Sequence, residues 1–445
     1  MSNRLNIGNK LKLSAILFLL TGIFTQILEA SDNQSASSEQ QTTKTIPSFQ
    51  TSEALPALLT SKEGILIESK QQWEQVRRPE LMQIFSEQMY GCTPEKESIQ
   101  ITHTLIESST NALEGLATRK QITFTFKNQD RQTDVDLLLY FPNSAYKQPV
   151  PLIIGLNFKG NQAIAFDPEI KICDKKMQLT PQEEKGPFPR GSASSRWPLK
   201  LILEKGYAVA TMARGDIALD SKNDMNNNIL SLFPELQQRD DNFSTIGAWA
   251  WTLSRAVDYL EKQPELDSSK ISVIGHSRLG KTALWAGALD PRFSVIISNE
   301  SGAGGAALTR RMVGETIADL CRNFPYWFCK NFQKYAGYDK VIPFDQHQLI
   351  ALIAPRHVYV ASAQEDKWAD PEGEFTSLKL ANPAFKLYGI NNALPAEKMP
   401  EIGHPLFGHN AYHIRPGKHN ITEYDWKNFL EFLDICFKRE KTPAS

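Results

Sequence analysis

Cysteine is scarce in this chain, with five residues in 445. Cys92, Cys173, Cys321, Cys329 and Cys436 are scattered too widely for a disulfide framework or a zinc site. Cys321 and Cys329 could close a short loop, or could share one buried helix face. A surplus of either charge is also missing: 49 basic residues stand against 50 acidic ones. That balance removes the global field by which nucleic acid or an anionic membrane would be drawn in. No repeat of fixed period is visible. Long apolar runs are absent except near the start, where Arg4, Lys10 and Lys12 precede the run 13–28, and Glu29-Ala30-Ser31 follows it. The run is short for a membrane span and has the layout of a secretory signal over residues 1–30. An uncleaved anchor is the alternative, because Leu28 is a poor residue before a cleavage site; no Cys follows the run, which argues against lipid attachment. Residues 31–52, rich in Ser, Gln and Thr, form a leader without periodicity. The expected location is secreted or periplasmic, with no stable membrane insertion once the signal is removed.

What is present is enough apolar residue, 41% of the chain, to bury a large core. Residues 73–90 read as a helix outside the sheet, with Trp73, Val76, Leu81, Ile84 and Phe85 as its apolar positions and Pro79 as an irregularity. The segments 121–126 and 134–141 read as an early antiparallel pair. From Pro151 the texture changes to short apolar strands alternating with helices: strands at 152–156, 208–212, 271–275, 295–299, 357–363 and 411–414, and helices near 199–205, 246–262, 281–289 and 423–437. Thr422 is placed to cap the last of these. Such alternation predicts an α/β fold, a mostly parallel central sheet with helices on both faces, as one domain over 53–445. Ligands bind at the carboxyl ends of the strands in such sheets. Three long insertions, 163–195, 213–244 and 309–343, follow strand ends and are expected to rim the site. The third carries Phe324, Tyr326, Trp327, Phe328, Phe332 and Tyr335, which suit sugar or aryl stacking or an ordinary packing face.

Ser277 lies between a β-branched strand and a helix, the setting of a nucleophile elbow in an α/β-hydrolase. Its surroundings, Gly275-His276-Ser277-Arg278-Leu279-Gly280-Lys281, depart from the simple pattern, because Leu279 fills the second small position and glycine comes one residue later. Arg278 and Lys281 are charges beside a pocket, which points to an anionic or polyhydroxylated substrate or, blandly, to a solvated helix start. Arg278 would join the oxyanion donors and Lys281 would hold sugar hydroxyls. The general base is expected after the last strand. Four of the eight histidines lie there: His404 and His409 precede the strand, His413 is within it, and His419 follows it, so His419 is chosen. Two carboxylates compete for the acid position. Glu300 ends the strand after the nucleophile strand and Asp366 follows the next one; the structural alternatives are a partnership of Glu300 with Arg310 or Arg311, and a loop-capping role for Asp366.

With these residues in place, the sequence resembles the glucuronoyl esterases, carbohydrate esterase family fifteen. The resemblance rests on the pattern G-x-S-R-x-G-K at Gly275 to Lys281, on Leu156-Asn157-Phe158-Lys159-Gly160-Asn161, on Glu300-Ser301-Gly302-Ala303-Gly304-Gly305, on Trp368-Ala369-Asp370-Pro371 and on Arg415-Pro416-Gly417-Lys418-His419. It implies hydrolysis of (4-O-methyl-)glucuronate esters, such as those joining xylan to lignin alcohols. It further implies that Ser277 and His419 act with Glu300 or Asp366, that Arg278 serves the oxyanion, and that Lys281, Glu315 and Trp368 contact the sugar. No metal or other cofactor is expected, the partners are glucuronate esters on xylan or lignin–carbohydrate complexes, and a monomer is expected. The rival readings are another carbohydrate esterase such as a deacetylase, a noncatalytic carbohydrate-binding protein on the same fold, and a peptidase.

Overall fold

The apolar runs of the second half are strands buried on both faces, and their side chains divide strictly by parity. In the computed structural model, which describes residues 54–439 apart from 174–176, 181–182 and 223–227, Leu152 and Ile154 enter one core while Ile153 enters the other. The same alternation sends Val273 to one face and Ile274 to the other, and Val358 and Val360 opposite Tyr359 and Ala361. The expected signal segment and leader lie outside the described residues.

Ten strands form the main sheet. They are β1 Gln100–Ala112, β2 Ala117–Asn128, β3 Arg131–Pro142, β4 Val150–Asn157, β5 Ala208–Ala213, β6 Leu266–His276, β7 Phe293–Asn299, β8 His357–Ala363, β9 Leu406–Phe407 and β10 Ala411–Arg415. Their spatial order is β1-β2-β3-β5-β4-β6-β7-β8-β10-β9. The run from β5 to β10 is parallel, while β1, β2, β3 and β9 pair antiparallel at the edges. This is the mostly parallel, doubly covered sheet of the α/β-hydrolases. The predicted early pair is β2 and β3. Strand β1 was not anticipated, for a physical reason: it is an edge strand whose residues are mostly exposed, so it carries no apolar alternation.

Helices α1 Leu199–Glu204 and α5 Glu423–Cys436 cover one face, through Ile202, Leu203, Trp426, Phe429 and Leu433. Helices α2 Thr245–Leu260, α3 Arg278–Leu289 and α4 Pro371–Leu380 cover the other, through Trp249, Leu253, Trp285, Phe375 and Leu378. The N-terminal helical segment 70–90 packs on this second face, where Tyr90 stacks on Trp285 at 4.6 Å. It accommodates Pro79 because a wider π-type turn, Trp73–Arg77, precedes it. Its buried positions are Trp73, Arg77, Leu81, Phe85, Met89 and Tyr90; Val76 turns to solvent instead.

Thr422 is the N-cap of α5, as expected, in a capping box with Asp425: its N–H and hydroxyl both donate to Asp425 Oδ2, each at 2.7 Å. The structure decides two points that the sequence leaves open. Trp327, Phe328, Phe332 and Tyr335 are buried members of the core, so the aromatic density of 309–343 is mainly a packing face. Cys329 is buried with its thiol directed at the Glu87 carbonyl, not at Cys321. Among the described residues no helix is long and apolar enough to cross a membrane.

Candidate active site

The turn from β6 into α3 is sterically tight. Ser277 adopts φ 59° and ψ −128°, a region that a non-glycine residue occupies only when its surroundings over-determine it. Its N–H donates to Asn299 O at 2.8 Å, and its carbonyl accepts from Gly280 N and Lys281 N. A Cβ on Gly275 would come within 1.8 Å of Leu279 O, so the first glycine is obligatory. A Cβ on Gly280 would come within 2.9 Å of Ser301 Cβ. The close approach of helix to sheet therefore falls at Gly280, which explains the displaced glycine, and Leu279 is left to bury its side chain in the core. At the first position of α3 the Arg278 N–H has no intrahelical acceptor.

Neither cation after Ser277 is a solvated surface charge. Arg278 stacks over Trp327, 4.6 Å from the ring centre, and pairs with Asp220. Asp220 is buried and also receives Arg214 at 2.9 Å, Trp327 Nε1 at 2.6 Å and the Tyr326 hydroxyl at 2.9 Å. Arg214 and Arg278, with these neutral donors, outweigh the cost of burial and hold the Asp220 carboxyl below the usual carboxylate range. Lys281 is buried, and its ammonium donates to Ser301 O at 2.8 Å, to Ala303 O and to Glu315 Oε2 at 3.0 Å. Its donors are thus engaged within the protein, tying α3 to the 300–305 turn and to Glu315.

Around His419, on the loop after β10, the two candidate acids converge. His419 Nδ1 lies 2.6 Å from Asp366 Oδ2 and 3.2 Å from Glu300 Oε2. The two carboxylates differ in what else they hold. Glu300, 1% exposed and at φ 47°, accepts from Arg415 Nη2 at 2.6 Å and from Asn420 N at 2.9 Å. Burial pushes its carboxyl up, against the opposing pull of His419 and Arg415. Arg310 and Arg311, considered as partners of Glu300, go elsewhere: Arg310 to Asp345 and Arg311 to Asp370 and Glu372. Burial alone would lower the His419 pKa, but the hydrogen bonds and charges of Asp366 and Glu300 overcome it and raise the group above 6.5. The side chain is 42% exposed, so its open face is available from the cleft.

Ser277, Arg278, Lys281, Glu300, Glu315, Asp366, Trp368 and His419 all line one open cleft with about 700 Å³ of empty space. The eight residues given a catalytic, oxyanion or sugar-binding part from the sequence are therefore in one place, with Trp368 exposed and Glu315 buried. Of the aromatic insertion, only Phe324 and Trp327 reach the cleft. His404, His409 and His413 do not line the cleft; His413 is buried between Tyr359 and Asp425, and His409 Nε2 meets Pro355 O. Glu300, Asp366 and His419 are close enough to share a cation, and both oxygens of Glu300 already accept hydrogen bonds, from Arg415 and Asn420.

Three residues that sequence reasoning passed over organise the site. Asp220, inside the insertion 213–244, aims Arg278. Arg415 bridges Glu300 and Asp425 and also donates to Lys418 O and Asn420 O, folding the His419 loop around itself. Glu374 on α4 accepts from Ser301 N at 2.8 Å, Gly302 N at 3.0 Å and Ser362 Oγ at 2.6 Å, fixing the turn that presents Glu300. Only Arg415 carried any signal, as part of the run ending at His419.

The chain is similar to known proteins over most of its length. The family described as "Glucuronyl esterase, fungi" matches residues 159–389. A carbohydrate esterase designated MZ0003, from an unknown prokaryotic organism, is 42% identical over 389 residues, covering 85% of this chain and 89% of that protein. The 4-O-methyl-glucuronoyl methylesterase 1 of Wolfiporia cocos is 32% identical over 46% of this chain and 53% of its own length. Among solved structures, a glucuronoyl esterase from Solibacter usitatus superposes with a TM-score of 0.80 at 39% identity, covering 88% of this chain and 99% of that one.

Proposed function

This chain belongs to the glucuronyl esterase family and is a carboxylic-ester hydrolase acting on glucuronate esters, and from that premise we propose that Ser277 is its nucleophile, His419 its general base and Asp366 the carboxylate that serves that base. The observation that carries the assignment is the 2.6 Å contact of Asp366 with His419 Nδ1. It leaves Nε2 of the same ring for the serine, in the cleft where Ser277 lies at its strained turn. A carboxylate at Nδ1 fixes the tautomer and stabilises the imidazolium that forms on proton transfer.

In the proposed reaction His419 Nε2 takes the Ser277 proton as Oγ attacks the ester carbonyl. The negative charge that develops on the carbonyl oxygen meets the Arg278 N–H and the guanidinium that Asp220 and Trp327 hold in place. The alcohol departs with the proton from His419, and water, activated by the same imidazole, releases glucuronate and restores Ser277. The uronate lies toward Lys281, Glu315 and Trp368. There the Glu315 carboxylate, anchored by Lys281, accepts from sugar hydroxyls, and the Trp368 face at the rim covers the ring. Because the sugar is on the acyl side, recognition rests on the uronate rather than on the alcohol, and esters linking glucuronoxylan to lignin alcohols are the proposed natural substrates. The charged and apolar N-terminal pattern supports action outside the cytoplasm.

The discriminating experiment compares benzyl glucuronate with acetylated xylan. Hydrolysis of the first at a kcat/KM at least about a hundredfold higher is expected, that being the order of discrimination a pocket built to hydrogen-bond its substrate commands. Preferential deacetylation would overturn the proposed orientation of the sugar.

A further inference from the structure

Asp366 and Glu300 both meet His419 at Nδ1, on one edge of the ring, and leave its faces and its Nε2 edge to other neighbours. The ring is 42% exposed on its side chain and sits on a loop. Its one aromatic neighbour among the described residues is His276, the residue before the nucleophile, whose ring centre lies 4.5 Å away at an interplanar angle of 37°. His276 is itself enclosed by the fold. It ends β6, it is 5% exposed, its Nδ1 lies 2.6 Å from Asn299 Oδ1, and Phe158 meets its ring edge-on at 6.3 Å. Asn299 in turn accepts the Ser277 N–H through its carbonyl.

We propose that His276 is a positioning residue, a neutral aromatic shelf that sets the plane of His419 and favours its protonated form. This rests on the reading of Ser277 and His419 as nucleophile and base. The groups facing the pair are Asp366 and Glu300 at His419, and Arg196 and Arg415 at His276. Burial, then the charges of His419, Arg196 and Arg415, hold the His276 pKa well below 6.5, so it presents an uncharged π face through the neutral range. An imidazolium gains from such a face while a neutral imidazole gains little. The shelf therefore acts most strongly when His419 carries the serine proton. One backbone turn thus carries both the nucleophile and the surface that aligns its base.

The test compares His276→Leu with His276→Phe. Both are apolar, both lose the Asn299 hydrogen bond, and they differ in the presence of a ring face. Each protein is assayed for kcat and KM on benzyl glucuronate, for its pH profile, and for the rate of inactivation by diisopropyl fluorophosphate. In that inactivation the Ser277 Oγ–P bond forms as P–F breaks, fluoride leaves, and the serine proton passes through His419 to solvent. The expected result is that Leu lowers kcat and the inactivation rate by about tenfold or more, the order of loss that misalignment of a catalytic group brings. KM should stay nearly unchanged and the acid limb should move to lower pH. Phe should stay within about threefold of the parent, with its limb close to the parent position. Equal rates and equal limbs for Leu and Phe would overturn the proposal. Failure of the fluorophosphate to label Ser277 in the parent, with ester hydrolysis intact, would instead overturn the assignment of the nucleophile.

Discussion

At the scale of single residues, the division of labour between Asp366 and Glu300 is the point on which the chemistry turns. The Glu300 charge is already compensated by Arg415 at 2.6 Å, whereas His419 is the partner that Asp366 meets at 2.6 Å. Asp366→Asn should therefore lower kcat on benzyl glucuronate by about a thousandfold, in the range lost when a triad base is left without its carboxylate. Glu300→Gln, which keeps the hydrogen bond to Asn420, should cost about tenfold, as expected for a group that positions rather than reacts. The pH dependence follows with a definite sign. His419 must be neutral to accept the serine proton, and its pKa is raised above 6.5, so kcat/KM should climb with pH through an apparent pKa above that value. Asp366→Asn removes the main cause of the raise and should move the limb downward; an unmoved limb would separate His419 from Asp366. By the same linkage, the pairing of His419 with its carboxylates stabilises the fold fully below about 6.5 and fades as pH rises through the raised value. That Ser277, His419, Glu300 and Asp366 would meet in one cleft was legible in the sequence, because strand order restricts where each can fall. Which acid dominates was not, since it depends on Arg415, whose reach to Glu300 crosses the sheet from a different strand.

At the scale of elements, the site depends on turns stapled from behind. Arg415 lies 4% exposed between Glu300 and Asp425 and donates to two carbonyls of the His419 loop. Replacing it with methionine keeps most of the volume but strands two buried carboxylates. Arg415→Met should cost about 3–5 kcal/mol, the usual penalty for breaking a buried ion pair from one side, seen as a lowered midpoint in urea or heat, with activity lost in parallel. A variant with unchanged stability would show that the network is decorative. Strands β4 to β8 were legible because apolar runs bounded by helices admit few other readings. The exposed edge strand β1 and the packing role of the 309–343 aromatics were not. In β1 the half-buried alternation is missing, and in the insertion an aromatic run has the same composition whether it faces ligand or core. Likewise, Asp220 gave no local sign of its task, because the arginine it aims is brought to it only by the fold.

At the scale of the whole molecule, the sheet gathers the ends of β6, β7, β8 and β10 around one cleft, and in the proposed orientation α3 and Glu315 wall its acyl side. In the proposed orientation the described cleft residues given a part in recognition all serve the uronate, so methyl, allyl and benzyl glucuronate should be hydrolysed with kcat/KM values within about tenfold of one another, the range that small apolar contacts alone can supply. Strict dependence on one alcohol would contradict that picture. The central claim, that Ser277 attacks a uronate ester with His419 as its base, is tested most directly by the hydrolysis of benzyl glucuronate by the parent and by Ser277→Ala. The account predicts rapid turnover by the parent and a loss of at least about 10⁴-fold in the variant. Turnover by Ser277→Ala at a rate near the parent's would contradict it.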